Sequence, residues 1–491
     1  MKSTLTIHSA DNVAVALREL AAGIETDNVV ISATIPAGHK FALKAIRSGE
    51  PVVKYGYPIG VASKDINPGD WVHNHNVKTA LSGALEYTYQ PDMRPLKKID
   101  DGLTFMGYPR ANGDAGIRNE LWIIPTVGCV NGLAEKTAAE LRAEGLPENI
   151  DGIAVFAHPY GCSQLGDDHA MSRTILADLT RHPNAGGVLV IGLGCENNTM
   201  DAFKECIGPV DPRRVRFLIA QDEEDEEEAC KTLLRELRDV AANDKREPVS
   251  ISRLRVGLKC GGSDAFSGLT ANPLAGAVSD RLIARHATTA LTEIPEAFGA
   301  ETILLNRCES REVFEKAASV VNGFKEYFLS HGEPVGENPS PGNKAGGITT
   351  LEDKSLGCVQ KGGTAPLSDV LRYGERIRQN GLNLLEGPGN DIVAVTALAA
   401  AGCHMALFTT GRGTPLGGAI PVVKISSNSQ LAERKKNWID FNAGALIEDE
   451  SMDALADRLL TLLLAIASGE RTCNEKGGYR DFAIWKQGVT L

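Results

Sequence analysis

The chain has 491 residues, 43% apolar and 23% charged, which gives a globular protein room for about three domains and excludes wholesale disorder. Its formal charge is −12, but seven of the acids form one run, Asp222–Glu228, and no basic tract marks nucleic acid as a partner. No stretch reaches 18 uninterrupted apolar residues, so no membrane association is expected; Leu459–Ala467 reads as the buried face of a helix. The opening MKSTLTIHSADNV lacks a signal-peptide core, which points to the cytoplasm and to ten reduced cysteines.

Residues 1–90 read as a small β-rich domain. Short β-type runs at Leu5–His8, Val29–Thr34, Val52–Tyr55 and Trp71–His73 are separated by the turns IPAGHK, YGYPIG and INPGD. One helical segment is expected over Asn12–Ala22. Residues 91–104, polar and proline-containing, read as a linker. From 105 to 385 strand and helix patterns alternate. Strands are expected at Leu121–Pro125, Ile153–Ala157, Val188–Ile191, Val215–Ala220 and Leu254–Leu258, with helices at Leu133–Ala143 and Ala170–Leu179. Apolar runs without alternation predict parallel strands covered on both faces, hence an α/β domain with a largely parallel sheet. A smaller α/β domain is expected over 386–491, closing with a helix near 453–467.

Cys129, Cys162 and Cys195 recur at 33-residue intervals, each after a glycine and just past a strand, and Cys260 follows 65 residues later. That interval is the length of a βαβ step, so these thiols should gather beyond the carboxyl ends of neighbouring strands, where open α/β sheets bind ligands. Six glycine-flanked cysteines (these four, Cys358 and Cys403) invite an iron–sulfur reading, but no compact CxxC group exists. Small thiols at tight turns are the favoured reading, and no iron–sulfur cluster is expected.

Other candidates follow from residue chemistry. In WVHNHN, His73 and His75 would share one face of a strand and could meet one cation. His39 and Lys40 follow a Pro-Ala-Gly turn, where a desolvated lysine could hold a carboxylate or act as a base, with Tyr55 lining the same pocket. His158 and Glu196 fall at the same sheet edge as the cysteines. The loop at 338–363, with Asn343, Lys344, Thr349, Thr350, Glu352 and Lys354 among glycines, suits a polyhydroxylated, anionic ligand, and GGSDAFSG (261–268) repeats the theme. GRGTPLGG (411–418) lacks the Lys-Ser/Thr of a phosphate loop, and there is no GxSxG elbow or HExxH motif. The acidic run reads as a solvated helix start.

Ordered phrases along the whole chain resemble the altronate dehydratase (altronate hydrolase) family of sugar-acid dehydratases, to which galactarate dehydratase and sulfolactate sulfo-lyase are related. They are DNVAVAL (11–17), GHKFAL (38–43), KYGYPIG (54–60), VHNHN (72–76), RANGDAGIRNELWIIPTVGCVNG (110–132), HPYGCSQLGDDH (158–169), GLGCENN (192–198), CGGSDAFSGLTANP (260–273), PSPGNKAGGITTLEDKSLGC (339–358), GCHMALFTTGRGTP (402–415) and the ending WKQGVTL. The resemblance implies an N-terminal SAF-type β-clip domain before the α/β domains. It also implies dehydration of D-altronate to 2-dehydro-3-deoxy-D-gluconate in hexuronate breakdown, with Fe²⁺ or Mn²⁺. One departure stands out: Trp71 occupies a place where another histidine is expected.

Joined to that chemistry, the candidates take roles. His73, His75, Cys162 and Cys195 are expected near the metal; Lys40, His39, His158 and Lys344 serve acid, base or carboxylate-holding roles; Tyr55, Asn76, Asn343, Thr349 and Thr350 contact substrate. The site would lie between the N-terminal domain and the sheet edge. Competing readings are an iron–sulfur hydro-lyase, a sister hydroxy-acid substrate such as galactarate, and a non-catalytic sugar-acid binding protein. A homodimer is the commonest oligomeric prior.

Overall fold

The computed structural model describes residues 2–81 and 83–488, so the last three residues of the WKQGVTL ending lie outside it. The N-terminal unit consists of short antiparallel strands in two main sheets. One orders Thr4–Leu5, Val13–Ala16, Lys40–Ala42 and Trp71–Val72; the other orders Pro51–Lys54, Tyr57–Ala62 and Val77–Lys78. The helix expected over Asn12–Ala22 is absent. Val13–Ala16 is instead a fully buried strand paired on both sides. Alternating valines favour the pleated backbone, and Asn12 spends its side chain on the neighbouring strand, bonding Pro51 O at 2.9 Å and Val53 N at 2.7 Å. The Val29–Thr34 run narrows to a two-residue strand, Val29–Val30. The YGYPIG turn is a two-residue hairpin with Tyr55 at φ 61° and Gly56 at φ 78°, the left-handed pair that matches strand twist.

The middle unit is a four-stranded parallel sheet ordered Gly152–Val155, Glu120–Pro125, Ala185–Gly192 and Val215–Ile219. Helices Asn131–Glu144, Gly166–Thr180, Met200–Ile207 and Glu226–Ala241 connect its strands or flank them. The acidic run divides between a turn and the start of the last of these helices. There Asp225 caps the N-terminus and Glu226, Glu227 and Glu228 fill the first turn.

The third unit is a seven-stranded parallel sheet ordered Leu367–Leu371, Gly381–Leu385, Thr288–Leu291, Arg255–Cys260, Met405–Thr410, Val422–Ser426 and Phe441–Asn442. Strands on both sides of residue 385 therefore pair within one sheet, and the expected boundary there is corrected. The chain changes sheet near 250 instead. The glycine- and proline-rich stretch after Leu385 is a short connection to the helix Asp391–Ala400. Residues 91–103 form no strand or helix and run along this third unit, held by Asp92 N to Asn306 O (2.7 Å) and Ile99 N to Ala284 O (2.9 Å). One apolar core joins Val13, Ala42 and Val72 of the N-terminal unit to Leu258, Leu356 and Leu407 of the third, which fixes the two units against each other.

Candidate active site

The carboxyl edge of the seven-stranded sheet gathers an unusual set of buried groups. Cys260 ends the strand Arg255–Cys260 and Cys358 ends the helix Leu351–Cys358, and their sulfurs lie 3.4 Å apart. Glu296 Oε2 accepts from both thiols, at 2.9 and 3.2 Å. Lys354 Nζ donates to Glu296 Oε1 at 2.7 Å and to Asn338 Oδ1 at 3.2 Å. Lys361 Nζ lies 2.8 Å from Cys260 Sγ and 3.2 Å from Glu293 Oε2. Lys259 Nζ completes the set, 3.2 Å from Glu293 Oε1 and 2.6 Å from Asp391 Oδ1. Buried charges persist only when paired, and here three buried lysines meet the buried Glu293 and Glu296 and the half-buried Asp391. Burial alone would raise Glu296, but Lys354 and Lys361 outweigh it and hold the carboxyl at about 2. Hydrogen bonding to Cys260, then burial, pushes the Cys358 thiol up. Lys354 is raised: burial opposes its charge, and Glu296 more than offsets that.

Beside this cluster opens a cleft of about 540 Å³, lined among others by Glu296, Asn338, Ser340, Lys344, Lys354 and Asp391. That volume suits a small ligand, and its walls are polar enough for a hydroxylated anion. A second cavity of about 560 Å³, between the Gly152–Val155 strand and residues 471–480, contains none of these thiols or lysines. The ligand atoms of Cys260, Glu296 and Cys358 all lie within 4.8 Å of one another, the one such trio among the described residues. Two sulfurs and a carboxylate fit a borderline-soft divalent cation such as Fe²⁺ better than the harder Mn²⁺. Such an ion would take the place of the Lys361 contact on Cys260.

A second cluster joins the N-terminal unit to the same helix. Lys40 Nζ reaches Asp353 Oδ2 and Gly347 O, both at 2.8 Å, and Lys54 Nζ reaches Asp353 Oδ1 at 3.0 Å. One carboxylate serves two buried ammoniums. Lys54 is raised, since Asp353 more than offsets its burial, whereas burial beside a second cation pushes Lys40 down to about 8. Above them Trp71 Nε1 donates to His39 Nδ1 at 3.2 Å, and His73 Nδ1 lies 3.2 Å from Thr349 Oγ1. The Trp71 and His73 rings stack with an interplanar angle of 4°.

Family models match the chain end to end. The Altronate/galactarate dehydratase SAF domain covers 2–80, the second domain of D-galactarate dehydratase/Altronate hydrolase covers 107–243, and the D-galactarate/Altronate dehydratase C-terminal domain covers 251–490. An altronate dehydratase of Escherichia coli K12 is 55% identical over 99% of both chains, and one of Bacillus subtilis 168 is 52% identical over 100% of both. The chain belongs to the altronate/galactarate dehydratase family. A galactarate dehydratase (L-threo-forming) of Escherichia coli K12, 32% identical over 95% of this chain and 93% of its own, is a more distant relative.

Within this family frame, the expected site residues divide. Lys344 lines the cleft. Asn343 lines it as well and braces the loop: it completes a capping box with Ser340 and donates to Ser263 O at 2.7 Å. Thr350 caps the helix Leu351–Cys358 and bonds Ile59 O of the SAF domain, while Thr349 N donates to Asp353 Oδ2 at 3.0 Å. Tyr55 presses its hydroxyl on the glycine pair 268 and 357; a Cβ at Gly268 would lie 2.3 Å from it.

The shared strand face expected for His73 and His75 is corrected. The strand ends at Val72, and residues 73–76 form a turn in which Asn76 Oδ1 accepts from His73 N at 2.9 Å; Asn76 is thus a turn brace. The two-residue strand period no longer applies, so His73 is buried and His75 is exposed. His158 is corrected as well: its Nε2 lies 2.8 Å from Pro125 O and its Nδ1 accepts from Tyr160 N at 3.1 Å, leaving neither ring nitrogen for chemistry. Cys162 and Cys195 belong to the middle sheet, not to the SAF interface. Sequence reading missed Glu296, Lys259, Lys361 and Asp391 as site residues. The one available signal was Lys259-Cys260, a polar ending on a strand otherwise buried from Val256 onward.

Burial sets an acid limit on this fold. Burial, then Lys40, pushes His73 down to about 4, and burial pushes His182 down to about 3. The unfolded imidazoles bind protons near the ordinary 6.5, so stability present above that value drains as pH falls toward 4. Urea midpoints measured from pH 7 to pH 4 should fall steadily; a flat profile would show that these imidazoles are not buried neutral.

Proposed function

We propose that the chain dehydrates D-altronate to 2-dehydro-3-deoxy-D-gluconate and water, in the breakdown of hexuronates in the cytoplasm, with Fe²⁺ as its metal. Whole-length identity to curated altronate dehydratases carries the substrate reading, and the lower identity to galactarate dehydratase ranks altronate first. The sheet-edge cleft supplies the place. The reaction removes a weakly acidic proton from C2, beside a carboxylate, and expels the C3 hydroxyl. Lys354, kept charged by Glu296, and Asn338 hold the substrate carboxylate. Asp391 Oδ accepts the C2 proton, and Lys344 Nζ donates a proton to the departing C3 hydroxyl, which leaves as water. The enol so formed tautomerises to the 2-keto acid. Cys260, Cys358 and Glu296 would hold the cation, which when bound supplies Lewis-acid stabilisation of the charge building on the carboxylate.

The reading is tested by following 2-keto acid release from D-altronate and galactarate, anaerobically, with chelator-stripped protein and added Fe²⁺ or Mn²⁺. Product from altronate that depends on Fe²⁺ is expected. Product from galactarate alone, or none in folded, iron-loaded protein, would defeat the reading. Lys354→Met adds a finer check. A hydrogen bond to a charged group is worth about 1.5–3 kcal/mol, so KM for altronate should rise roughly 10–100-fold. An unchanged KM would remove Lys354 from the carboxylate site.

A further inference from the structure

Three of the ten cysteines are placed where thiols are rarely left. Cys129, Cys162 and Cys195 are exposed, although cysteine is among the most buried residue types. Each follows a glycine beyond the carboxyl end of one of three adjacent parallel strands, Glu120–Pro125, Gly152–Val155 and Ala185–Gly192. Hydrogen bonds tie their loops together: Gly128 N to Tyr160 O (2.8 Å), Asn198 N to Gly161 O (2.9 Å) and Ser163 N to Asn197 Oδ1 (2.9 Å). Cys162 is presented by a turn with left-handed backbone on both sides, φ 99° at Gly161 and φ 60° at Ser163. The three thiols therefore occupy one edge on loops that hold one another in place.

Next to them, buried polar atoms lack partners. Gln164, two residues beyond Cys162, is 3% exposed; its Oε1 accepts from Gly161 N at 3.2 Å, but its Nε2 has no acceptor. Asn131 Oδ1, two residues beyond Cys129, is likewise unsatisfied. An orphaned buried group is costly: the Gln164 Nε2 donor calls for a ligand that accepts a hydrogen bond, whereas the Asn131 Oδ1 acceptor calls for a donor.

Spacing separates a single ion from a cluster. Tetrahedral zinc with Zn–S bonds of about 2.3 Å needs every pair of sulfurs about 3.8 Å apart. The trio Cys260, Glu296 and Cys358 is the one set of three donors within 4.8 Å among the described residues, so at least one pair of the edge thiols is farther apart than that. As placed, the three thiols therefore do not all converge on one ion, and a polynuclear group is the ligand class that takes thiolates from separate neighbouring loops.

We propose that Cys129, Cys162 and Cys195 ligate an iron–sulfur cluster of the [4Fe–4S] type, one cysteine from each strand loop, with Gln164 Nε2 donating to a cluster sulfide. The cluster is separate from the cation held at Cys260, Cys358 and Glu296, which belong to another sheet. Three protein thiolates leave one iron open to an oxygen ligand on the solvent side. Ligation releases the three thiol protons, and the thiolates then stand before the N-termini of the helices Asn131–Glu144, Gly166–Thr180 and Met200–Ile207. Sequence spacing alone gave no compact motif, because each ligand comes from a different βα turn.

The test reads iron and acid-labile sulfide, with visible absorption and low-temperature EPR, in the full-length protein reconstituted anaerobically with ferric iron, sulfide and dithiothreitol. About four sulfides per chain are expected in wild type and in Cys260→Ser, with about four irons in the variant and about one more in wild type from the separate cation site. Cys129→Ser, Cys162→Ser and Cys195→Ser should each lower sulfide at least about tenfold, no less than the loss of an outer-shell partner costs. These are surface substitutions, and thermal melts check their fold. In wild type, alkylation mapped by mass spectrometry should spare the three thiols when the cluster is present and reach them once it is destroyed. Iron without sulfide, sulfide retained in the triple serine variant, or equal alkylation before and after reconstitution would each overturn the proposal. None of these readouts depends on altronate turnover.

Discussion

Asp353→Asn should destabilise the protein by about 3–5 kcal/mol, the cost of leaving buried charge without its partner. Asp353 is the single carboxylate between Lys40 and Lys54, and all three side chains are at most 2% exposed. Asparagine keeps the shape and the bond from Thr349 N but cannot balance either ammonium. Lys40 and Lys54 come from the SAF domain, whereas Asp353 lies in the first turn of the helix Leu351–Cys358, so the lost attraction is between units that share one core. The same helix carries Lys354 and Cys358, and loosening it should also disturb the cleft. Urea midpoints for wild type and variant measure the effect. A shift under 1 kcal/mol, on the scale of an exposed pair, would show that this ion triad is open to solvent.

Much of the architecture was legible because burial leaves its mark on strands. Leu121–Pro125 and Val188–Ile191 are unbroken apolar runs, and both are core strands of the middle parallel sheet, at Glu120–Pro125 and Ala185–Gly192. The N-terminal unit is harder to read, since its strands are two to six residues long and Val13–Ala16 carries too few residues to separate a strand from a helical turn. The stretch after Leu385 has the glycine and proline of a linker, yet it only returns the chain from a strand to a helix of the same sheet. The site was harder still. Its groups come from a strand end, a short turn and a helix far apart in sequence, and Glu296 and Lys361 look like ordinary polar residues until the fold buries them. The place of Lys344 on the cleft wall follows from the glycine-rich loop that carries it. The histidine pair was misplaced because a strand was assumed to continue one residue past Val72.

Glu296 carries the central claim. Its carboxylate meets both thiols and Lys354, lines the cleft, and is the charged member of the donor trio. Glu296→Gln preserves volume but removes the charge that balances Lys354 and Lys361 and weakens the donor set for a cation. Loss of one preorganised electrostatic group costs about 10²–10³ in kcat, and bound Fe²⁺ should fall with it. The decisive measurement is anaerobic turnover of D-altronate by Glu296→Gln beside wild type, with melting curves and iron content taken on the same samples. A folded variant that has lost at least about a hundredfold in kcat is the predicted result. A folded variant that releases 2-keto acid at the wild-type rate would place the chemistry outside this cleft.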